Sequence, residues 1–339
     1  MTKKKIIRGI NEEMADALKN SCLHHLYTES QEELFFGIRN GYLNLYYNCD
    51  SIAKIEYKRK RTDKEKKIYC TINNYYLNGK NGIDISPETI HNCYQEIKDV
   101  SDQKSKKTLE KRAQALLITK NNSNPKSKWF CLDVEYRKQF HNRTERDNSG
   151  FKGRFDIIAI SKTKPYNIAL IELKYGSKAI GGNSGIYKHI KDFKLFQDKG
   201  YFKSLKQEIV NIIKAQVELG VNVPKELHGI EIKDILTKPE FYFIILNNNK
   251  EKNGSTPKQT MAGYLFKPNN NKYKDWKCKR SAKHCVEDDF GDITQKNNDF
   301  HATFLFSKVI IPETETAKTT TFGITDIING EYDEIIRPE

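Results

Sequence analysis

The chain has 339 residues, and 37% hydrophobic with 11% aromatic content is enough to build a core and too much for wholesale disorder. Lys and Arg number 58 against 44 Asp and Glu, a formal net charge of +14 that favours a polyanionic partner, nucleic acid first of all. No stretch approaches the roughly 20 apolar residues of a membrane span, so no membrane partner is expected.

The N-terminus, MTKKKIIRGINEEMADALKN, is basic but turns acidic before any apolar region forms, so it does not read as a signal peptide. Residues 11 to 36 read as helical, with Met14, Leu18, Leu23, Leu26 and Leu34 in rough apolar spacing. GYLNLYYN (41–48), IAKIEYK and KIYCTINNYYL then mix β-branched and aromatic residues as strands do, around the charged turn KRKRTDKEKK. Residues 1 to about 100 therefore read as a small N-terminal α+β unit, open to binding substrate or a partner, with a basic hairpin tip that reads first as a solvated loop and second as a phosphate contact. SDQKSKK (101–107) reads as a linker.

The order of elements then becomes informative. Leu109, Ala113, Leu116 and Leu117 mark one face of a helix. WFCLDVEYR (129–137) reads as a strand with Phe130, Leu132, Val134 and Tyr136 on one side. GRFDIIAIS (153–161) and NIALIELK (167–174) follow as strands joined by the turn KTKPY. A glycine-rich bend leads to a helix, IYKHIKDFKLF (186–196), then to a helical stretch around 203 to 219 and the apolar strand EFYFIILN (240–247). Short connections predict an antiparallel meander for the first three strands. A helical crossover predicts parallel pairing for the last, giving an α/β sandwich around a mixed sheet. From 251 a C-terminal extension holds two further strands, AGYLFKP and ATFLFSKVI.

Seven Cys, an odd number with no C-x-x-C, suit reduced thiols in a cytoplasm better than a disulfide framework. CKRSAKHC brings Cys278, His284 and Cys285 close in sequence, but a zinc site needs a fourth ligand and better spacing.

Two strands carry charge where apolar residues are expected. Alternation puts Glu172 and Lys174 on one face near the end of the third strand, and Asp156 interrupts the apolar run of the second. An unpaired carboxylate in such a setting costs several kcal/mol or titrates anomalously. A hairpin turning near 163 to 166 brings Asp156 close to Glu172. Two converging carboxylates, with the Leu173 carbonyl as a third ligand, suit Mg²⁺ or Mn²⁺. Lys174 beside the ion can orient a water or offset phosphate charge.

Asp156 followed by Glu172-Leu173-Lys174 resembles the PD-(D/E)XK nuclease superfamily, the restriction-endonuclease-like fold. The order of elements over residues 108 to 247 is similar to its αβββαβ core, so that core is expected within about 101–250. The residue before Asp156 is Phe155 rather than proline. The resemblance implies metal ligation by Asp156 and Glu172, a catalytic role for Lys174, and DNA over RNA as substrate. It also implies an auxiliary acid. Glu110, on the first helix with Gln114 one turn on, competes with Glu135, which shares its side of the first core strand with Asp133. Glu135 is preferred, because it would land beside Asp156 if the two strands pair. Arg154, Lys188 and His189 are candidates for phosphate contact, with Asp192 one turn beyond. The expected protein is a cytoplasmic Mg²⁺-dependent nuclease of defence or repair, dimeric if it cuts duplexes. The competing expectation keeps the fold without the chemistry, as a binding module whose three charged residues form an inert buried cluster.

Overall fold

The structure is a computed structural model that describes residues 8–105, 108–125, 127–140, 142–175 and 186–246, with short strands beyond. It is an α/β protein. The chain divides into two compact units: residues up to 125 with 204–235, and residues from 127 to 203 with 236–306. Among the described residues no helix is long and apolar enough to cross a membrane. Cys22, Cys70 and Cys93 are free thiols.

The first unit opens with two short helices, α1 (Glu12–Lys19) and α2 (Cys22–Glu29). Asn11 caps α1 by accepting from the Met14 N–H at 2.9 Å. The single helix expected over 11 to 36 is thus broken at Asn20 and stops at Ser30. Leu34, read as part of its apolar stripe, belongs instead to β1 (Leu34–Ile38). A short apolar run such as Leu34-Phe35-Phe36 fits helix or strand, and here pairing decides: β1 lies antiparallel to β2 (Tyr42–Tyr47). With β3 (Asp50–Lys58) and β4 (Lys67–Thr71) they make a four-stranded antiparallel meander. Helices α3 (Pro87–Asn92), α4 (Tyr94–Ser105) and α5 (Leu109–Ser123) follow. Met14, Leu18, Leu23, Phe36, Leu43, Leu45 and Ile55 form the core, joined by Ile212 and Ala215 of α8 (Phe202–Glu218) and by Leu219 just beyond it.

The second unit is built on a seven-stranded sheet. Its elements are β5 (Trp129–Arg137), α6 (Arg143–Ser149), β6 (Arg154–Ser161), β7 (Ile168–Tyr175), α7 (Ile186–Asp198) and β8 (Glu240–Leu246). A two-stranded ribbon, β9 (Lys252–Asn253) with β10 (Thr256–Pro257), stands apart from the sheet. β11 (Trp276–Cys278), β12 (Phe290–Gln295) and β13 (His301–Phe306) complete it, in the order β11-β12-β13-β8-β7-β6-β5. β5, β6 and β7 pair antiparallel, and β8 pairs parallel to β7, as the connection lengths predict. β13 adds a second parallel pair on β8 and realises the first part of ATFLFSKVI. The strand expected at AGYLFKP, the glycine-rich bend, and His284 and Cys285 lie outside the described residues.

α7 buries Ile186, Ile190, Phe193 and Phe196, one stripe at helical spacing. Phe193 stacks on Phe243 of β8 at 4.9 Å and meets Phe155 of β6 edge-on at 4.8 Å, which fixes α7 against the sheet.

One buried acid organises the first unit's polar contacts. Asp50 is 5% exposed and takes Lys111 at 2.7 Å and Lys104 at 2.9 Å. Burial pushes its carboxyl pKa up, but the hydrogen bonds and charges of the two lysines win and hold it below the usual value. With the folded pKa depressed, this stabilisation is complete above the unfolded value of about 3.9 and is lost as pH falls through the folded value. Asp50→Asn is therefore expected to lower stability at neutral pH by about 1–3 kcal/mol and to flatten the acid limb of the stability curve. Urea unfolding from neutral to acid pH measures both, and an unaltered acid limb would contradict the assignment.

Candidate active site

β6 and β7 are buried almost end to end, so their sequences are near-continuous apolar runs. Against that background Asp156 (2% exposed), Glu172 (1%) and Lys174 (4%) stand out as three buried ionisable groups of β6 and β7, with Asp133 of β5 buried in the same sheet. Their placement follows from the register. Ile157 pairs with Ile171, and the next step along both strands is Asp156 beside Glu172. Cross-strand neighbours of this kind have Cβ atoms about 5 Å apart.

The ladder between β6 and β7 ends at that step. The Leu173 N–H is taken up by a side chain, donating to Asp156 Oδ2 at 2.9 Å. In an extended residue the N–H and C=O point to the same neighbour, so the Leu173 carbonyl also faces β6, the side on which Asp156 stands.

Glu172 is met by an amine and an imidazole of the chain. Lys174 Nζ lies 2.7 Å from Oε1, and His189 Nε2 of α7 lies 3.0 Å from the same oxygen. His189, expected at the phosphates, is thus placed on the acid itself, with its side chain 14% exposed. Lys188 beside it is exposed. Asp192 is partly buried. Burial pushes its carboxyl pKa up, while Lys188 and His189 pull the other way.

β5 completes the arrangement through an irregularity. Phe130 pairs with Ile160, but Asp133 pairs with Ile158 and Val134 with Ile157, so Leu132 is an extra residue in a bulge. The expected single face of Phe130, Leu132, Val134 and Tyr136 is therefore split, with Phe130 and Val134 on opposite sides. Had the ladder run on regularly from Phe130, Glu135 would have met Phe155. The bulge advances it to the rung of Asp156, between the pairs Val134 with Ile157 and Tyr136 with Phe155. Glu135 also has φ 54°, the left-handed region that a side chain rarely adopts in a strand. Its Oε2 pairs with Arg154, and its Oε1 is buried with no hydrogen-bond partner among the described residues. Arg154 is thus held by an acid, with about a third of its side chain exposed (36%). The rival acid, Glu110, lies on α5 in the first unit, where Gln114 is buried.

Sequence reasoning missed Gly153. A Cβ there would stand 2.7 Å from the Phe151 ring and 2.9 Å from the Asp192 Cβ. Glycine lets α7 approach the start of β6 that closely, and the only sequence signal is a glycine three residues before the acid.

Among the described residues no group of three or more His, Cys, Asp or Glu side chains is arranged to hold a metal ion. A cation between Asp156 and Glu172 would find two carboxylates and the Leu173 carbonyl. That fits Mg²⁺, which takes few protein ligands and keeps several waters, better than zinc or calcium.

Comparison of the chain with protein-family models, with curated proteins and with solved structures finds no match.

Left-handed backbone at Glu135 separates stability from function. Glu135→Gly relieves a strain that Glu135→Ala retains, and the two lose the same contact to Arg154. Thermal or urea unfolding is expected to place the glycine variant above the alanine variant by about 1 kcal/mol. The reverse order would contradict the strain.

Proposed function

We propose that the second unit is a metal-dependent nuclease of the restriction-endonuclease-like type, hydrolysing phosphodiester bonds, with DNA favoured over RNA. One observation carries the reading: Asp156, Glu172 and Lys174 are buried on two adjacent interior strands of an apolar sheet. Burying three charges is expensive, and hydrophobic residues in their place would be at least as stable. A catalytic task explains why they are retained. The meander β5-β6-β7, followed by α7 and a parallel β8, supports the family assignment, and strain stored at Glu135 is typical of working sites.

Asp156 and Glu172 would hold the cation through Oδ1, through the Glu172 carboxylate and with help from the Leu173 carbonyl. The chemistry Mg²⁺ supplies when bound is polarisation of a phosphoryl oxygen and acidification of water. Lys174 orients the attacking water and stabilises the charge that grows on the phosphate. His189 fixes the rotamer of Glu172. Glu135 holds Arg154 at the rim, where its guanidinium can receive a phosphate. Water adds to phosphorus, one P–O ester bond breaks, and the departing oxygen leaves as a hydroxyl with a proton.

A second reading has its own support. Lys174 and His189 already close on Glu172, as they would in an inert cluster that only fixes the structure. On that reading the unit is a binding module for nucleic acid or protein.

Cleavage assays separate the two. Purified protein is expected to cut DNA with Mg²⁺ or Mn²⁺, to stop with EDTA, and to cut RNA less well. Asp156→Asn, Glu172→Gln and Lys174→Met should each lower the rate by more than about a hundredfold, with melting curves showing folded protein. Undiminished cutting by Asp156→Asn, or no cutting with any divalent ion, would remove the enzyme.

A further inference from the structure

Positive charge is concentrated in one short stretch of the first unit. Residues 54–67 carry eight Lys or Arg against three Asp or Glu, a surplus of five out of +14 for the whole chain. They form the end of β3, the start of β4 and the connection between them.

The sheet here has two distinct faces. Ile55, Ile68 and Cys70 are buried in the core, and Lys54, Glu56, Lys58 and Tyr69 alternate with them on the other side. The register sets Tyr42, Glu56 and Tyr69 in one row across β2, β3 and β4. Two phenol rings therefore flank one carboxylate, at about 5 Å per strand step. Lysine amines cover both rings: Lys54 lies 4.7 Å from the centre of Tyr42, and Lys60 lies 4.1 Å from that of Tyr69.

The connection beyond Lys58 is not slack. Asp63 Oδ2 accepts from the Lys60 N–H at 2.9 Å and from the Tyr69 hydroxyl at 2.6 Å, which ties the tip to the strand below. Preorganisation of this kind lowers the entropy lost on binding. Glu56 and Asp84 already pair with Lys54, Lys58 and Lys60. Arg59, Arg61 and Lys64 are exposed, and none forms an ion pair among the described residues. A loop evolved only for solubility has no need of a fixed tip, nor of aromatic rings under its amines.

We propose that the β3–β4 tip and the tyrosine row beside it are a docking surface for the phosphodiester backbone of nucleic acid. This deepens the nuclease reading and rests on it only for the choice of DNA as the polymer. Arginines and lysines at the tip take phosphates and release counterions. Tyr42 and Tyr69 offer planar faces on which unpaired bases can stack once their lysines turn to phosphate. An anionic membrane fits less well, because residues 59–67 contain no apolar side chain to enter a bilayer.

Binding is measured in EDTA, so that it is separated from cleavage. Anisotropy of labelled duplex DNA, single-stranded DNA and RNA is followed between about 50 and 200 mM KCl. Arg59→Ala/Arg61→Ala/Lys64→Ala should bind at least about tenfold more weakly at the lower salt. Its log–log salt slope on duplex should shrink by about 2.7, three contacts at roughly 0.9 each. Arg59→Lys/Arg61→Lys/Lys64→Arg should restore binding. Unchanged affinity in the alanine variant overturns the proposal, as does binding to phosphatidylserine vesicles with none to nucleic acid. Wild-type protein that binds through the tip yet never cuts DNA leaves this surface standing and removes the nuclease. Cutting with binding unaffected in the alanine variant does the reverse.

Discussion

Three charges held inside an apolar sheet are the constraint on which the second unit turns. Asp156, Glu172 and Lys174 occupy positions that Ile, Leu and Ala fill elsewhere on β6 and β7, and none is more than 4% exposed. Such groups are tolerated only with partners close at hand. The structure supplies them locally: the Leu173 N–H for Asp156, and Lys174 with His189 for Glu172. Each partner sits on or against the strand that carries the acid. The cluster therefore depends on strand register and on α7 being seated, more than on any single side chain.

Several irregularities of the fold serve that register. The bulge at Leu132 moves Glu135 onto the rung of Asp156, and the left-handed backbone at Glu135 follows directly after Val134 returns to the ladder. β6 and β7 part at Asp156, which frees the Leu173 N–H for its carboxylate. Gly153 removes the one Cβ that would push α7 away. Distortion is thus concentrated along the stretch of β6 from Ala159 to Gly153, which holds Asp156. On the proposed reading this is where an ion and a phosphate are received, and strain of this kind persists only when the surroundings over-determine it.

The order of elements in the second unit was legible because periodicity and connection length are local properties. Runs such as FDIIAI and IALIEL, short, rich in Ile and bounded by turn residues, read as buried strands, and a short turn between them favours antiparallel pairing. Asp156 and Glu172 were legible for the same reason, as polar residues inside those runs. The bulge was not, since nothing in WFCLDVEYR distinguishes a strand with an extra residue from a regular one. α2 ends before the apolar spacing predicts, because Leu34, Phe35 and Phe36 fit a helical stripe until β2 claims them. The grouping of 204–235 with the first unit depends on long-range packing of Ile212, Ala215 and Leu219, which no local pattern reveals. His189 was visible as a candidate, but its contact with Glu172 depends on the seating of α7.

The central claim is that the two acids hold a divalent cation. Crystals soaked in Mn²⁺, with diffraction collected at the manganese edge, test it most directly. The account predicts an anomalous peak between Asp156 and Glu172, with the Lys174 amine drawn back from its 2.7 Å contact with the glutamate. A map without a peak there, and with Lys174 and His189 still closed on Glu172, would contradict it.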